Sequence, residues 1–170
     1  MVSAFATPAA TVIFTFVMVY AALTDLTTMR IRNGLVLAFL AAYVILAPLA
    51  GFTVSEIAWS IAIAAGILAV FFAFFAFGWM GGGDVKLIAV TVLWLGLDHT
   101  PAFLLYTALF GGALTLAILR MRLVGVPAFL GNRPWIGRLQ SDKAGVPYGV
   151  AMTIAALIEF PHTRWMSVVF

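Results

Sequence analysis

Residues 79–90 read WMGGGDVKLIAV, in which three glycines, an aspartate and a lysine precede an apolar segment. Glycine weakens a helix that it interrupts, and three in succession allow close approaches to the backbone that any side chain would prevent. The stretch therefore predicts a boundary between two helices, where some other part of the chain lies close to the backbone beside Asp84.

The composition is typical of a membrane protein. Hydrophobic residues make up 65% of the chain and charged residues 9%, whereas about a quarter of the residues in a soluble domain are charged. A chain of 170 residues can form one bundle of spanning helices with little left for another domain. We therefore expect an all-α polytopic membrane protein with a single domain, residues 1–170.

Apolar runs that are long enough to cross a bilayer, or nearly so, predict six transmembrane helices joined by short loops. They lie at about 4–24, 34–50, 56–78, 87–97, 101–119 and 146–160. The first run lacks a preceding basic region and is longer than the core of a signal peptide, so we expect it to be retained. The fourth is short for about 30 Å of hydrocarbon, and we expect other helices to enclose it beside a wet cavity.

The distribution of basic residues predicts the orientation. Eight of the nine Lys and Arg residues fall on one side of the predicted bundle: Arg30, Arg32, Lys86, Arg120, Arg122, Arg133, Arg138 and Lys143. The other side carries Arg164. The positive-inside rule then places both termini outside the cytoplasm, and Asp25 and Asp84 at its boundary.

The longest connection, residues 120–149, mixes arginines with apolar side chains. Phe129, Leu130, Trp135 and Ile136 beside these arginines are typical of a segment in the lipid headgroup layer. One interpretation is a positive-inside anchor, and the other is a platform for a substrate. No clustered basic face suggests nucleic-acid binding.

Four of the six acidic residues have simple interpretations. Glu56 falls in the first turn of the third helix, where the helix dipole favours an acid. Asp98 with His99, and Asp142, are expected in solvated turns, and Glu159 at an interface. With no cysteine and with both histidines on the outer side, we expect no metal and no other cofactor.

Asp25 and Asp84 remain as candidates for chemistry. Asp84 could cap the fourth helix and Asp25 could pair with Arg30, but neither explanation accounts for the three glycines. Two carboxyl groups in one desolvated site share a proton, which provides an acid and a base for peptide hydrolysis. From the helix dipoles we expect Asp84 to begin as the base and Asp25 as the acid.

Three motifs carry a family resemblance. Gly81-Gly82-Gly83-Asp84 matches GxGD, and residues 25–33, DLTTMRIRN, are similar to a first aspartate motif in which proline is common at the position of Arg32. Residues 146–151, VPYGVA, resemble a Pro-Tyr/Phe-Gly signature. The chain thus resembles the type IV prepilin peptidases, which are GxGD membrane aspartic proteases. Within this family the chain most resembles the short stand-alone form that serves tight-adherence (Flp) pili, or the archaeal preflagellin peptidases.

The resemblance implies that Asp25 and Asp84 are catalytic and that the substrate is a prepilin or preflagellin-like subunit. Its basic leader would be removed after a glycine, at the cytoplasmic face of the inner membrane. Residues implied to shape the site or bind substrate are Gly81, Gly82, Gly83, Lys86, Asn33 and Tyr148. For the last three, interfacial anchoring beside membrane lipid is the alternative.

Longer members of the family carry an N-terminal region with four cysteines and methylate the new amino terminus. This chain has neither that region nor any cysteine, so we expect peptidase activity alone. Two other functions stay open: a small transporter, in which buried acids relay protons, and a non-enzymatic subunit of a secretion machine. The oligomeric state is not predicted.

Overall fold

A computed structural model describes residues 2–125, 134–141 and 145–167, and these residues are helical with no strand among them. The helices are α1 (Val2–Thr28), α2 (Asn33–Leu49), α3 (Val54–Ala76), α4 (Gly82–Leu95), α5 (Thr100–Val124), α6 (Pro134–Gln140), α7 (Tyr148–Glu159) and α8 (Arg164–Ser167), with a 3₁₀ turn at Phe160–His162. The predicted all-α class is confirmed.

Local sequence signals set several helix ends. Thr53 and Glu56 form a capping box at the start of α3, in which each side chain accepts a hydrogen bond from the other residue's backbone N–H. Glu56 is therefore the first-turn acid that the sequence predicts, and it also pairs with Arg164. Helices α4 and α5 are followed by Gly96 and Gly125, whose φ angles of 78° and 79° suit glycine best.

Three helices are long and apolar enough to cross a membrane: Phe5–Thr28, Val54–Ala76 and Thr100–Val124. Six spans are not confirmed. Helices α2, α4 and α7 have 17, 14 and 12 residues, or about 26, 21 and 18 Å at 1.5 Å per residue, against about 30 Å of hydrocarbon. The apolar residues of α4 contact protein and not lipid, because every residue from Leu87 to Leu95 is buried. The enclosure predicted for the fourth run is thus observed.

Helix α4 packs against α2, α3 and α7, while α1 packs against α2 and α7. An aromatic cluster fixes this arrangement. The Trp94 ring lies between Phe39 and Trp165, with centroids 5.0 and 4.8 Å away, and Phe14 stacks on Phe160. The indole N–H of Trp94 donates to the Phe39 carbonyl and that of Trp165 to the Trp94 carbonyl, so both buried donors are satisfied.

The helices alternate in direction, so the bundle has two ends of different chemistry. One end, called the site end, contains the end of α1 and the starts of α2, α4 and α7. At the opposite end Glu159 is buried, and its carboxylate lies 3.1 Å from Nδ1 of His99. Glu159 is therefore buried by protein and not at the expected interface, whereas Asp98 is exposed and His99 is partly exposed in a turn, as predicted.

The long connection contains α6, and two arginines link α6 to α5 and to the end of α1 by hydrogen bonds. Arg122 Nε donates to the Leu139 carbonyl at 2.8 Å, and Arg138 donates to the Thr27 carbonyl at the end of α1. Ile136 is buried against protein, which corrects its predicted place in the headgroup layer. Five residues of the sequence-based predictions lie outside the described residues: Phe129, Leu130, Arg133, Asp142 and Lys143.

The described basic residues follow the predicted separation. Arg30, Arg32, Lys86 and Arg138 belong to segments at the site end, whereas Arg164 donates to the Gly51 carbonyl at the opposite end. The orientation of the bundle in a membrane stays a prediction.

Candidate active site

Asp25 and Asp84 meet at the site end. Asp25 lies in the last turn of α1 and is 5% exposed, and Asp84 lies in the first turn of α4. Both line two cavities, of about 390 and 310 Å³, which we call the first and the second cavity. The pair is therefore accessible to a small molecule or an extended chain.

The two cavities differ in their walls. The first is lined by apolar and aromatic side chains that include Trp79, Met80 and Tyr148. The second is lined by the α1–α2 connection, with Arg30 and Arg32, and by the glycines that precede Asp84. The two cavities thus share the aspartates, but the first adds aromatic and thioether side chains and the second adds two arginines.

Gly149 holds Asp25 in place. Its backbone N–H donates to Asp25 Oδ2 at 2.7 Å, and a Cβ atom at position 149 would lie 2.8 Å from the same oxygen. Gly149 is the second residue of α7, where backbone N–H groups have no acceptor within the helix and favour a negative charge. The described residues show no ion pair between Asp25 and Arg30, so the pairing considered from the sequence is absent there.

Asp84 is held by the turn that precedes it. Gly81, not Asp84, is the N-cap of α4. The Asp84 side chain folds back over it, so that a Cβ at position 81 would lie 2.9 Å from Asp84 Oδ2. The Gly81 backbone also hydrogen-bonds to this carboxyl group.

The other two glycines of the run face different neighbours. A Cβ at position 83 would lie 3.1 Å from Cβ of Ile31, and one at position 82 would lie 3.1 Å from the Phe75 ring. Gly83 therefore lets the α1–α2 connection pack against the start of α4. This contact brings the segment that follows Asp25 to the segment that carries Asp84.

Asp84 lies outside the three candidate spans. Burial raises its pKa to about 7, the charge of Asp25 acts in the same direction, and the hydrogen bond from Gly81 opposes both. Near neutral pH this carboxyl group is therefore protonated in a large share of molecules. The helix dipole favours an ionised Asp84 and burial opposes it, so which aspartate begins as the base stays a prediction.

Lys86 and Asn33 lie beside the site rather than in it. Lys86 Nζ donates to Asn33 Oδ1 at 3.0 Å, which links the starts of α4 and α2. Lys86 is exposed, and neither residue lines the two cavities. The structure thus places both where they support the contact between the two aspartate segments.

Tyr148 lines the first cavity, and its ring packs against α5. A Cβ at position 111 would lie 2.7 Å from its ring, and its hydroxyl lies 3.5 Å from Thr115 Oγ1. Gly111 thus forms a close contact between α5 and α7, whereas the neighbouring Gly112 faces open space.

The sequence-based reasoning did not select Gly149 as a site residue. The available signal was its position in the Pro-Tyr-Gly stretch at the start of a helix, where a free backbone donor is expected. In the described part of the chain no group of three or more His, Cys, Asp or Glu side chains is placed to hold a metal ion. The site offers two carboxyl groups, one of them readily protonated, beside space for a water molecule.

Comparison with known protein families matches residues 12–116 to the type IV leader peptidase family. The matched region contains both aspartates and the three glycines. No match was found among curated proteins or among solved structures.

Proposed function

Because the chain belongs to the type IV leader peptidase family, we propose that it is a membrane aspartic endopeptidase whose catalytic residues are Asp25 and Asp84. One observation supports this assignment above the others: carboxyl groups from two helices distant in sequence line the same two cavities. Two carboxyl groups around a space that admits water are sufficient for acid–base hydrolysis of a peptide bond.

We assign the base to Asp25 and the acid to Asp84. The N–H of Gly149 stabilises an ionised Asp25 carboxylate, while the pKa of about 7 keeps Asp84 protonated in many molecules. Asp25 removes a proton from water, and the hydroxide attacks the peptide carbonyl. Asp84 protonates the developing oxyanion to give a diol. As the C–N bond breaks, the proton held by Asp25 passes to the departing amine, and one hydroxyl of the diol returns a proton to Asp84, which restores both carboxyl groups.

The substrate class follows from the family, whose members act on prepilin-type proteins. We propose a prepilin of the Flp type, or a preflagellin-like subunit, cleaved after a glycine that separates its basic leader from an apolar segment. The apolar wall of the first cavity, with Trp79 and Met80, suits the start of that apolar segment. The basic residues at the site end support a position at the cytoplasmic face of the inner membrane, with both termini on the other side.

Co-expression with a tagged prepilin tests the proposal, in a host that lacks its own leader peptidase. The native chain should convert the prepilin to a faster-migrating form on a gel. Asp25→Asn and Asp84→Asn should each abolish this conversion at equal expression, whereas Asp98→Asn, at an exposed position at the opposite end, should not. Processing by either aspartate variant would refute the pair as the catalytic centre. A folded native chain that processes nothing would favour the transporter or the non-enzymatic subunit.

A further inference from the structure

Met29 has a backbone conformation that its residue type disfavours. It follows the last residue of α1 with a φ angle of 54°, and it is the only non-glycine residue with a positive φ in the described part of the chain. Its N–H donates to the Asp25 carbonyl at 2.8 Å and so closes the turn that holds Asp25. Glycine or asparagine usually occupies this position after a helix. A methionine here suggests that the side chain has a use, because strained residues cluster at functional sites.

Met29 lines both of the cavities beside the aspartates. Four residues line both cavities: Asp25, Met29, Gly81 and Asp84. Of these, Gly81 has no side chain and the aspartates are assigned to the chemistry. Apart from the aspartates, Met29 is therefore the one described residue with a side chain that lines both cavities, and it is half-buried, so it remains accessible to a substrate.

We propose that Met29 determines substrate specificity, by restricting the substrate residue next to the scissile bond to a small side chain. An extended peptide whose carbonyl lies between the aspartates must continue into both cavities. Its residue nearest the cleaved bond then passes the methionine. A side chain larger than hydrogen at that point competes with the thioether for the same space.

Methionine suits this role because of its shape. Its unbranched, flexible side chain fills an irregular gap closely while still adapting to a passing backbone. The inference rests on the proposed peptidase function, but it concerns which substrates are cut rather than whether cleavage occurs.

The test uses the full-length chain, purified in detergent, with prepilin variants carrying Gly, Ala or Val before the cleaved bond. The measured quantity is the ratio of kcat/KM for Gly over kcat/KM for Ala. In Met29→Gly this ratio should fall about tenfold or more, the effect expected when one methyl group gains room. Because glycine accepts a positive φ, this variant should keep the turn that holds Asp25.

Two further variants separate the side chain from the backbone. Leucine has a similar volume to methionine and disfavours a positive φ to the same degree. Met29→Leu should therefore keep the native ratio of kcat/KM values. Met29→Asn tolerates a positive φ and is smaller, so it should lower the ratio as Met29→Gly does.

Each outcome decides. An unchanged ratio in both Met29→Gly and Met29→Asn, or an equal loss of rate for all substrates, would overturn the inference. Met29 would then serve only to shape the end of α1. A native chain that cleaves none of the prepilins would instead refute the proposed function, and this result is distinguishable because it precedes any comparison of variants.

Discussion

Gly149 shows how a residue without a side chain can control a catalytic group. The space that a Cβ would occupy is taken by the Asp25 carboxylate, and the backbone N–H is directed to that carboxylate. Substitution by alanine therefore displaces the Asp25 carboxylate, because the new methyl group needs the space that this carboxylate occupies.

We expect Gly149→Ala to lower kcat about 100-fold, the usual cost of misplacing a reacting group by about 1 Å. KM should change little, because Gly149 does not line either cavity. The measurement is steady-state cleavage of a purified prepilin. Gly112→Ala is the matched control, since a Cβ there meets open space. Equal kcat values for the two variants would contradict the positioning of Asp25 by Gly149.

The protonation of Asp84 predicts the dependence of activity on pH. The raised pKa of about 7 means that Asp84 holds its proton below that pH and loses it above. If Asp84 is the general acid, kcat/KM should decline as the pH rises through about 7, tenfold for each further unit. Cleavage rates across a pH series test this expectation, with gel filtration at each pH as the control for folding. A rate that stays constant well above pH 7 would contradict the role of Asp84 as the acid.

At the scale of elements, the close contact of α5 with α7 positions Tyr148 in the first cavity. The Tyr148 ring packs directly on the α5 backbone at Gly111, so a Cβ atom at position 111 would lie 2.7 Å from the ring. Helix packing through a small residue of this kind is common within membranes.

Gly111→Ala should therefore displace the Tyr148 ring and reduce prepilin cleavage. If the loss arises from the collision with the ring, Gly111→Ala in a Tyr148→Ala background should cause little additional loss. A double-mutant cycle of kcat/KM measures this coupling. Losses that simply add would show that Gly111 and Tyr148 act separately.

Helix α4 illustrates a different limit of reasoning from sequence. Its apolar run suggests a membrane span, and only its short length argues against one. In the structure, α2, α3 and α7 surround it, so protein rather than lipid contacts its apolar residues. Hydropathy is the same in both environments, and burial by other helices therefore cannot be read from the run alone.

At the scale of the whole molecule, the end opposite the site is held by a polar pair in which Glu159 is buried and His99 is partly exposed. His99, before α5, contacts Glu159 at the end of α7. These groups lie far along their helices from Gly149 and Tyr148, so they fix the bundle without touching the cavities.

Removal of one partner should cost stability rather than catalysis. In His99→Ala the buried Glu159 carboxylate loses its described polar partner, at a cost of about 1–3 kcal/mol. Thermal unfolding in detergent should show a lower midpoint than for Asp98→Ala, an exposed neighbour. The kcat of the folded His99→Ala protein should match that of the native chain. Unchanged stability would show that the pair contributes nothing to the fold.

Much of this protein was determined by its sequence alone. Composition and apolar runs predict a helical membrane protein, because hydropathy and helix length are properties of local sequence. The motifs around Asp25 and Asp84 identify the family and the candidate catalytic pair, since each motif is continuous in the chain. The close approach to the glycine run also follows from local sequence, because three adjacent residues without side chains have no other clear purpose.

Only the tertiary structure decided which groups control that pair. The donor to Asp25 belongs to Gly149, on a helix more than a hundred residues further along the chain, and the pKa of Asp84 depends on its burial and on the charge of Asp25. The enclosure of α4, and the position of Met29 beside both cavities, likewise depend on how the helices pack. Contacts between residues distant in sequence leave no periodic or local signal, so the sequence could name the two acids but not the groups that hold them.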